Sequence, residues 1–146
     1  MQNYDLVIAN DHAGFDLKLK ILDFLKKKNY KGKIIDVGTD SAGSVDYPDY
    51  AQKAVQEIID ENAKYGILIC GSGVGMSIAA NRNSSIRAAL CLNEIMAEKA
   101  RAHNNANILV LGSRLINEKL AFKMIEIFLN TEFEGGRHAT RLSKIG

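Results

Sequence analysis

The chain has 146 residues, of which 47% are hydrophobic and 25% charged, and its formal net charge is +2 at neutral pH. This balance is typical of one globular domain, residues 1–146, and the single proline argues against a proline-rich linker or tail. Lysines are spread along the chain without interleaved aromatic residues, so we expect no nucleic-acid partner.

The sequence also indicates a cytoplasmic protein. Its first residues lack the basic and apolar segments of a signal peptide, and its longest apolar runs are too short to span a membrane. The two cysteines, Cys70 and Cys91, lie too far apart for a metal-binding or redox pair motif. Free thiols of this kind suit a reducing compartment.

Short apolar runs alternate with amphipathic segments along the chain. The apolar runs predict buried strands at residues 6–9, 34–37, 67–70, 86–90 and 108–111. The helical spacing of apolar side chains predicts helices at residues 15–28, 48–62, 93–104 and 117–129, and a further helix beginning near Val74. This alternation predicts a single-domain, three-layer α/β/α sandwich with a five-stranded, mainly parallel sheet.

Polar residues follow four of the predicted strands, at positions 10–12, 38–40, 70–73 and 112–114. In a doubly wound sheet, ligands bind beyond the carboxyl ends of the strands. We therefore expect the functional site at this edge of the sheet.

The densest motif is the glycine-rich loop after the third strand, where Gly71, Gly73 and Gly75 alternate with other residues. Glycines let the backbone turn sharply, and the following helix N-terminus favours negative charge, so the loop is expected to hold an anion. The glycine spacing does not match a dinucleotide fingerprint or a nucleotide P-loop. Nor does the loop match a hydrolase nucleophile elbow.

Cys70 begins this loop and admits two interpretations. A thiol beside a helix N-terminus is expected to have thiolate character, so it would act as a base next to a carbonyl group, with loop amides stabilising the resulting oxyanion. The alternative is a small core residue, which is the usual role of a free cysteine. Cys91 ends a strand without adjacent glycines and is interpreted as core.

Histidines and arginines supply the remaining candidates. His12 and His103 each stand in a polar cluster, and a histidine has a pKa suited to opening a sugar ring near neutrality. The alternative for either histidine is a surface or capping group. In the C-terminal tail, about residues 130–146, Arg137 and Arg141 are four apart, so a helix would present both from one face to a phosphate. A solvated basic tail is the alternative interpretation.

Taken together, these motifs resemble the type B ribose-5-phosphate isomerases, within a broader group that includes galactose-6-phosphate isomerase. The matching stretches run in order along the chain: Asp11-His12-Ala13-Gly14-Phe15, Asp36-Val37-Gly38-Thr39, Asp46-Tyr47-Pro48, Ile69-Cys70-Gly71-Ser72-Gly73-Val74-Gly75, His103-Asn104, Leu111-Gly112-Ser113-Arg114 and Glu134-Gly135-Gly136-Arg137-His138. Some members of that family carry a glutamate in place of Gly75 and lack the cysteine. This sequence is of the cysteine kind.

The resemblance implies a Rossmann-like fold, a homodimer or dimer of dimers, and no metal or organic cofactor. It implies that Cys70 moves a proton between carbons 1 and 2, that Ser72 assists, and that His103 opens the ring. The substrate-binding groups that it implies are the backbone amides of Gly71, Gly73, Val74 and Gly75 for the enediolate, Asp11 and Asn104 for sugar hydroxyls, and Arg114, Arg137 and Arg141 for the phosphate, with His12 close by. The site would lie between subunits, with Tyr47 and several other groups coming from the partner chain.

Two other functions remain open at this stage. A hexose 6-phosphate, such as galactose or allose 6-phosphate, would require the same chemistry in a deeper pocket. The galactose enzyme of the family works as two different subunits, whereas this polypeptide carries Cys70, His103 and both tail arginines itself. A non-catalytic sugar-phosphate-binding module would need the glycines and arginines but no thiol base.

Overall fold

A computed structural model of the protein describes residues 2–146. The strands are β1 (Tyr4–Asn10), β2 (Ile34–Asp36), β3 (Ala63–Cys70), β4 (Ala88–Leu90) and β5 (Ile108–Gly112). The helices are α1 (Phe15–Lys27), α2 (Tyr47–Ile59), α3 (Val74–Ala80), α4 (Glu94–Ala102), α5 (Glu118–Asn130) and α6 (Arg137–Ser143). A short 3-10 turn, His12–Gly14, joins β1 to α1.

The five strands form one sheet in the order β2-β1-β3-β5-β4, and every pairing is parallel. One face of the sheet packs on α1, α4 and α5, and the other packs on α2 and α3. The predicted three-layer α/β/α sandwich is therefore confirmed, with a sheet that is parallel throughout. Among the described residues, no helix is long and apolar enough to cross a membrane.

The burial of each strand follows its place in the sheet. β1 and β5 each contain five consecutive buried residues, because both of their faces are covered by helices. The edge strands β2 and β4 are three residues long and only partly buried. β3 begins at Ala63, earlier than the predicted residue 67. The prediction missed this start because the exposed Lys64 and the half-buried Tyr65 interrupt the apolar run.

The helix boundaries differ from the predicted ones at the ends. α2 was expected to reach residue 62 but ends at Ile59, because the Asp60 N–H closes the last turn on Gln56 and Glu61 takes a positive φ of 58°. Asn93 precedes α4 as its N-cap, and its side chain accepts a hydrogen bond from the Met96 N–H at 2.8 Å. These local turns leave the order of elements unchanged.

The order of strands reverses direction between β1 and β3. From β1 the chain crosses to β2 on one side, and from β3 it proceeds to β4 and β5 on the other. A crevice at the carboxyl ends of these two strands is the usual ligand site of such sheets. Asp11 and His12 follow β1 there, and Cys70 ends β3.

Candidate active site

Asp11 fixes the turn that follows β1. Its buried carboxylate accepts hydrogen bonds from the N–H groups of Ala13 and Gly14, at 3.0 and 3.2 Å. Gly14 packs directly on β3, where an added Cβ would lie 2.7 Å from the carbonyl oxygen of Ile69. The backbone around His12 is therefore held against the end of the strand that carries Cys70.

His12 has a defined tautomer in this turn. Its Nδ1 accepts a hydrogen bond from the Val45 N–H at 3.1 Å, so the proton of the neutral imidazole is on Nε2. The hydroxyl of Ser113 donates to the carbonyl oxygen of Ala13 at 2.8 Å. This bond ties the loop after β5, which carries Arg114, to the same turn.

Cys70 lies at the base of the glycine loop with 5% of its surface exposed. The Gly73 N–H donates to Cys70 Sγ at 3.2 Å, and the Ser72 hydroxyl oxygen accepts from the Val74 N–H at 3.3 Å. The Cys70 sulfur therefore lies at the start of α3, within hydrogen-bond distance of a loop amide. Burial raises the pKa of Cys91, the other free thiol, to about 11, so that thiol stays protonated at neutral pH.

Gly73 sets the path of this loop. Its φ of 80° lies in the left-handed region, and an added Cβ would be 2.5 Å from Leu90 Cδ1 and 3.3 Å from the backbone nitrogen of Gly112. Gly73→Ala is therefore expected to lower the free energy of unfolding by about 1–2 kcal/mol from backbone strain, plus the cost of moving Leu90.

Urea denaturation measures this effect, and Gly43→Ala is the matched control. Gly43 has an ordinary φ, and an added Cβ would only touch the Ser41 hydroxyl at 3.4 Å, so its change should be within about 0.5 kcal/mol. Equal stability of the two variants would show that the left-handed turn is not required.

Two large side chains cover the loop. The backbone N–H of Arg114 donates to the Gly71 carbonyl oxygen at 2.9 Å. The guanidinium of Arg114 lies against Gly71, because a Cβ added there would be 2.9 Å from Nη1. The ring of Tyr47 packs on Gly75, because a Cβ added to Gly75 would be 2.6 Å from the ring. The expectation that Tyr47 reaches the site from a partner chain is therefore wrong. The start of α2 brings it to the loop of its own chain.

Lys18 is a buried cation beside this edge that the sequence interpretation did not single out. Its Nζ pairs with the Asp36 carboxylate at 3.1 Å and donates to the Thr39 carbonyl oxygen at 2.6 Å, with 2% of the side chain exposed. These bonds fix the loop after β2, which leads to Val45 and Tyr47. Lys18 precedes Leu22 and Leu25 by four and seven residues, so its place on the apolar face of α1 was readable from helical spacing.

The other predicted residues form a second cluster at the end of α4 and in the tail: His103, Asn104, Arg137 and Arg141. His103 follows the last residue of α4 as its C-cap, and the Glu134 N–H donates to the Ala102 carbonyl oxygen at 2.9 Å. His138, on α6, stacks on His103 with ring centroids 4.1 Å apart. The predicted tail helix is present, and Arg137 and Arg141 lie one turn apart on it.

This second cluster lies at the opposite edge of the sheet from Cys70. α4 returns from the carboxyl end of β4 to the amino end of β5, so its last residues lie where the strands begin. Arg101, in the last turn of α4, donates to the Tyr65 hydroxyl at 3.1 Å. Tyr65 precedes Cys70 by five residues on β3, a separation of about 16 Å along a strand. One chain therefore carries two candidate half-sites, around Cys70 and around His103, that it does not itself bring together.

Glu134 and His138 join the second cluster although sequence reasoning gave them no role. Glu134 Oε2 lies 3.7 Å from His103 Nε2, and its Oε1 lies 3.6 Å from His138 Nε2. Partial burial, with the charges of His103, Arg137 and Arg141, lowers the pKa of His138 against the opposing effect of Glu134. The four-residue spacing of Glu134 and His138 was the available signal for this contact.

Comparison with known proteins identifies the family. A family model described as Ribose/Galactose Isomerase matches residues 6–145. The chain belongs to the ribose/galactose isomerase family. This membership makes it an aldose–ketose isomerase and confirms the resemblance found from the motifs.

Relatives within the ribose/galactose isomerase family are similar over nearly their whole length. Ribose-5-phosphate isomerase B of Escherichia coli is 41% identical over 135 residues, which cover 92% of this chain and 89% of that protein. A Rickettsia conorii protein, named only provisionally as a sugar phosphate isomerase, is 57% identical over 99% of both chains. The crystal structure of a ribose 5-phosphate isomerase from Thermotoga maritima has a TM-score of 0.93 and 55% identity, covering 99% of this chain and 98% of that one.

Proposed function

We propose that this isomerase interconverts ribose 5-phosphate and ribulose 5-phosphate, with Cys70 as the base. The observation that carries this proposal is the Cys70 thiol at the carboxyl end of β3, with the Gly73 N–H donating to its sulfur at 3.2 Å. A cysteine is a small core residue in most proteins, but here it faces a loop of backbone amides at the expected ligand site. An isomerase of this class needs a base at that point.

The chemistry is a proton transfer within one substrate. The Cys70 thiolate removes the proton from carbon 2 of the open-chain aldose, and the electron pair moves to the carbonyl oxygen to form an enediolate. Loop amides of Gly71, Gly73, Val74 and Gly75 stabilise that oxyanion. The proton returns to carbon 1, while the Ser72 hydroxyl assists the proton exchange between the two oxygens.

Ring opening and substrate anchoring require the second cluster. His103 would move a proton from the hydroxyl on carbon 1 to the ring oxygen. Asp11 and Asn104 would bind sugar hydroxyls. Arg114, with His12 beside it, would hold the phosphate together with Arg137 and Arg141, whose forked guanidinium groups suit a dianion.

Because the two clusters lie at opposite edges of one chain, we propose that the site is completed by a second copy. Exposed apolar side chains near the glycine loop support this association. Val74 and Ile78 on α3 are 48% and 58% exposed, and Ile95 at the start of α4 is 71% exposed. An exposed apolar surface of this kind marks a protein contact. A homodimer, or a dimer of dimers, would place His103, Asn104 and the tail arginines of one subunit beside Cys70 of the other.

The choice of a pentose phosphate rests on the relatives that are named as ribose-5-phosphate isomerases and on the presence of all the catalytic groups in one polypeptide. The test is conversion of ribose 5-phosphate, allose 6-phosphate and galactose 6-phosphate by the purified chain without added metal. We expect kcat/KM to be at least about tenfold higher for ribose 5-phosphate. A higher kcat/KM for a hexose 6-phosphate would leave the mechanism in place and overturn the substrate. Binding of all three without turnover would favour the non-catalytic module.

A further inference from the structure

Three potential metal ligands converge in the second cluster. They are His103, Glu134 and His138, which each offer one ligand atom, and these three atoms all lie within 4.8 Å of one another. Each histidine lies 3.6–3.7 Å from the carboxylate. Within one chain, this group is separate from the thiol and from the glycine loop.

The donor set and spacing suit a first-row divalent ion. Two imidazoles and one carboxylate are typical ligands of Zn²⁺, Ni²⁺ and Co²⁺. An ion bound tetrahedrally at about 2.0–2.2 Å needs donor atoms about 3.3–3.6 Å apart. The two histidine-to-carboxylate separations exceed that by up to a few tenths of an ångström. The two imidazoles are stacked with ring centroids 4.1 Å apart, so both rings must rotate before their nitrogens face one ion. These rotations would also tilt the stacked imidazole planes toward the carboxylate.

The backbone of the cluster is already fixed by hydrogen bonds. The backbone N–H of His103 donates to the Lys99 carbonyl oxygen at 2.9 Å. The N–H groups of Glu134 and His138 donate to the carbonyl oxygens of Ala102 and Gly135, at 2.9 and 3.1 Å respectively. Binding therefore requires side-chain movement only.

Two neighbouring charges oppose a cation. Arg137 and Arg141 lie on the same helix as His138 and lower its pKa through their positive charge. A metal ion at the cluster meets the same repulsion, which the single carboxylate of Glu134 offsets in part. The expected affinity is therefore micromolar, below that of a closed structural site with four ligands.

We propose that His103, Glu134 and His138 form a binding site for a divalent transition-metal ion, and that the ion inhibits the isomerase reversibly. Inhibition follows because the ion occupies His103 Nε2 and removes that imidazole from ring opening. This second part rests on the role proposed above for His103, whereas the binding itself does not. The three protein ligands leave the remaining coordination positions of the ion open to solvent, so a chelator removes the ion.

The test is titration of the untagged protein with Zn²⁺ and Co²⁺, followed by calorimetry and by the visible spectrum of bound Co²⁺. We expect one ion per chain with a micromolar Kd that stays within a few-fold in Cys70→Ala, which distinguishes this site from binding at the thiol. Glu134→Gln and His138→Gln should each weaken binding by about tenfold or more, since each removes one of three ligands. Glu132→Gln, an exposed glutamate of the same segment, is the matched control and should bind as the wild type does.

Each outcome decides one part of the proposal. Affinity that is equal in the wild type, Glu134→Gln and His138→Gln, or loss of binding in Cys70→Ala, would overturn the site. Binding at the triad with unchanged isomerase activity would overturn the inhibition while leaving the site in place. Inhibition by Zn²⁺ that is reversed by EDTA supports both parts. The titration is informative whether or not ribose 5-phosphate proves to be the substrate.

Discussion

Cys70→Ala is expected to lower kcat for the isomerisation about a thousandfold or more with little change in KM, because it removes the proposed base, which acts in the transition state. Cys70 packs in a core cluster with Ala9, Leu68 and Met76, so alanine deletes one sulfur atom and the fold should persist. Steady-state kinetics with ribose 5-phosphate measure the effect, and circular dichroism checks the fold.

Cys91→Ala is the matched control for this variant. Cys91 is also a buried thiol at the end of a strand, with 1% of its surface exposed, but burial raises its pKa to about 11. It is therefore expected to keep a kcat within a few-fold of the wild type. Similar losses in the two variants would point to packing, and a fully active Cys70→Ala protein would exclude the cysteine base.

Arg141→Ala is expected to raise KM by about 10–100-fold with a smaller effect on kcat. A charge-assisted hydrogen bond to a phosphate contributes about 1.5–3 kcal/mol, and an anchor remote from the reacting carbons contributes chiefly to binding. Arg137→Ala should behave likewise, since both residues project from α6 one turn apart.

Lys144→Ala provides the comparison for the tail arginines. Lys144 is an exposed cation at the end of the same helix, so its loss changes the net charge equally without removing a proposed phosphate ligand. Its KM should stay near the wild-type value. An equal rise in KM for Lys144→Ala would indicate a general electrostatic effect, and an unchanged KM for both arginine variants would show that the tail lies away from the phosphate.

Much of the first half-site was predictable because it lies at strand ends. Apolar runs located β1, β3 and β5, and the rule for ligand sites in doubly wound sheets then selected Asp11, Cys70 and the residues after β5. Local sequence also predicted the cation pair on α6. These inferences depend on short-range patterns, which a single sequence records well.

The relation between the two half-sites was harder to read. His103 and Cys70 both stand in polar clusters, but the return of α4 to the amino edge separates them by the length of the sheet. The position of Tyr47 on Gly75 depends on how α2 packs beside α3, and that packing has no local signature. The buried ion pair of Lys18 with Asp36 likewise joins residues that are 18 apart in sequence.

The most direct test is complementation between two inactive variants. Cys70→Ala and His103→Ala disable opposite half-sites, so each alone is expected to have little activity on ribose 5-phosphate. When equal amounts are unfolded and refolded together, half of the dimers are mixed and each mixed dimer has one intact site, so about a quarter of the wild-type activity should return. Activity no higher than that of the separate variants would contradict a cysteine-base site shared between subunits.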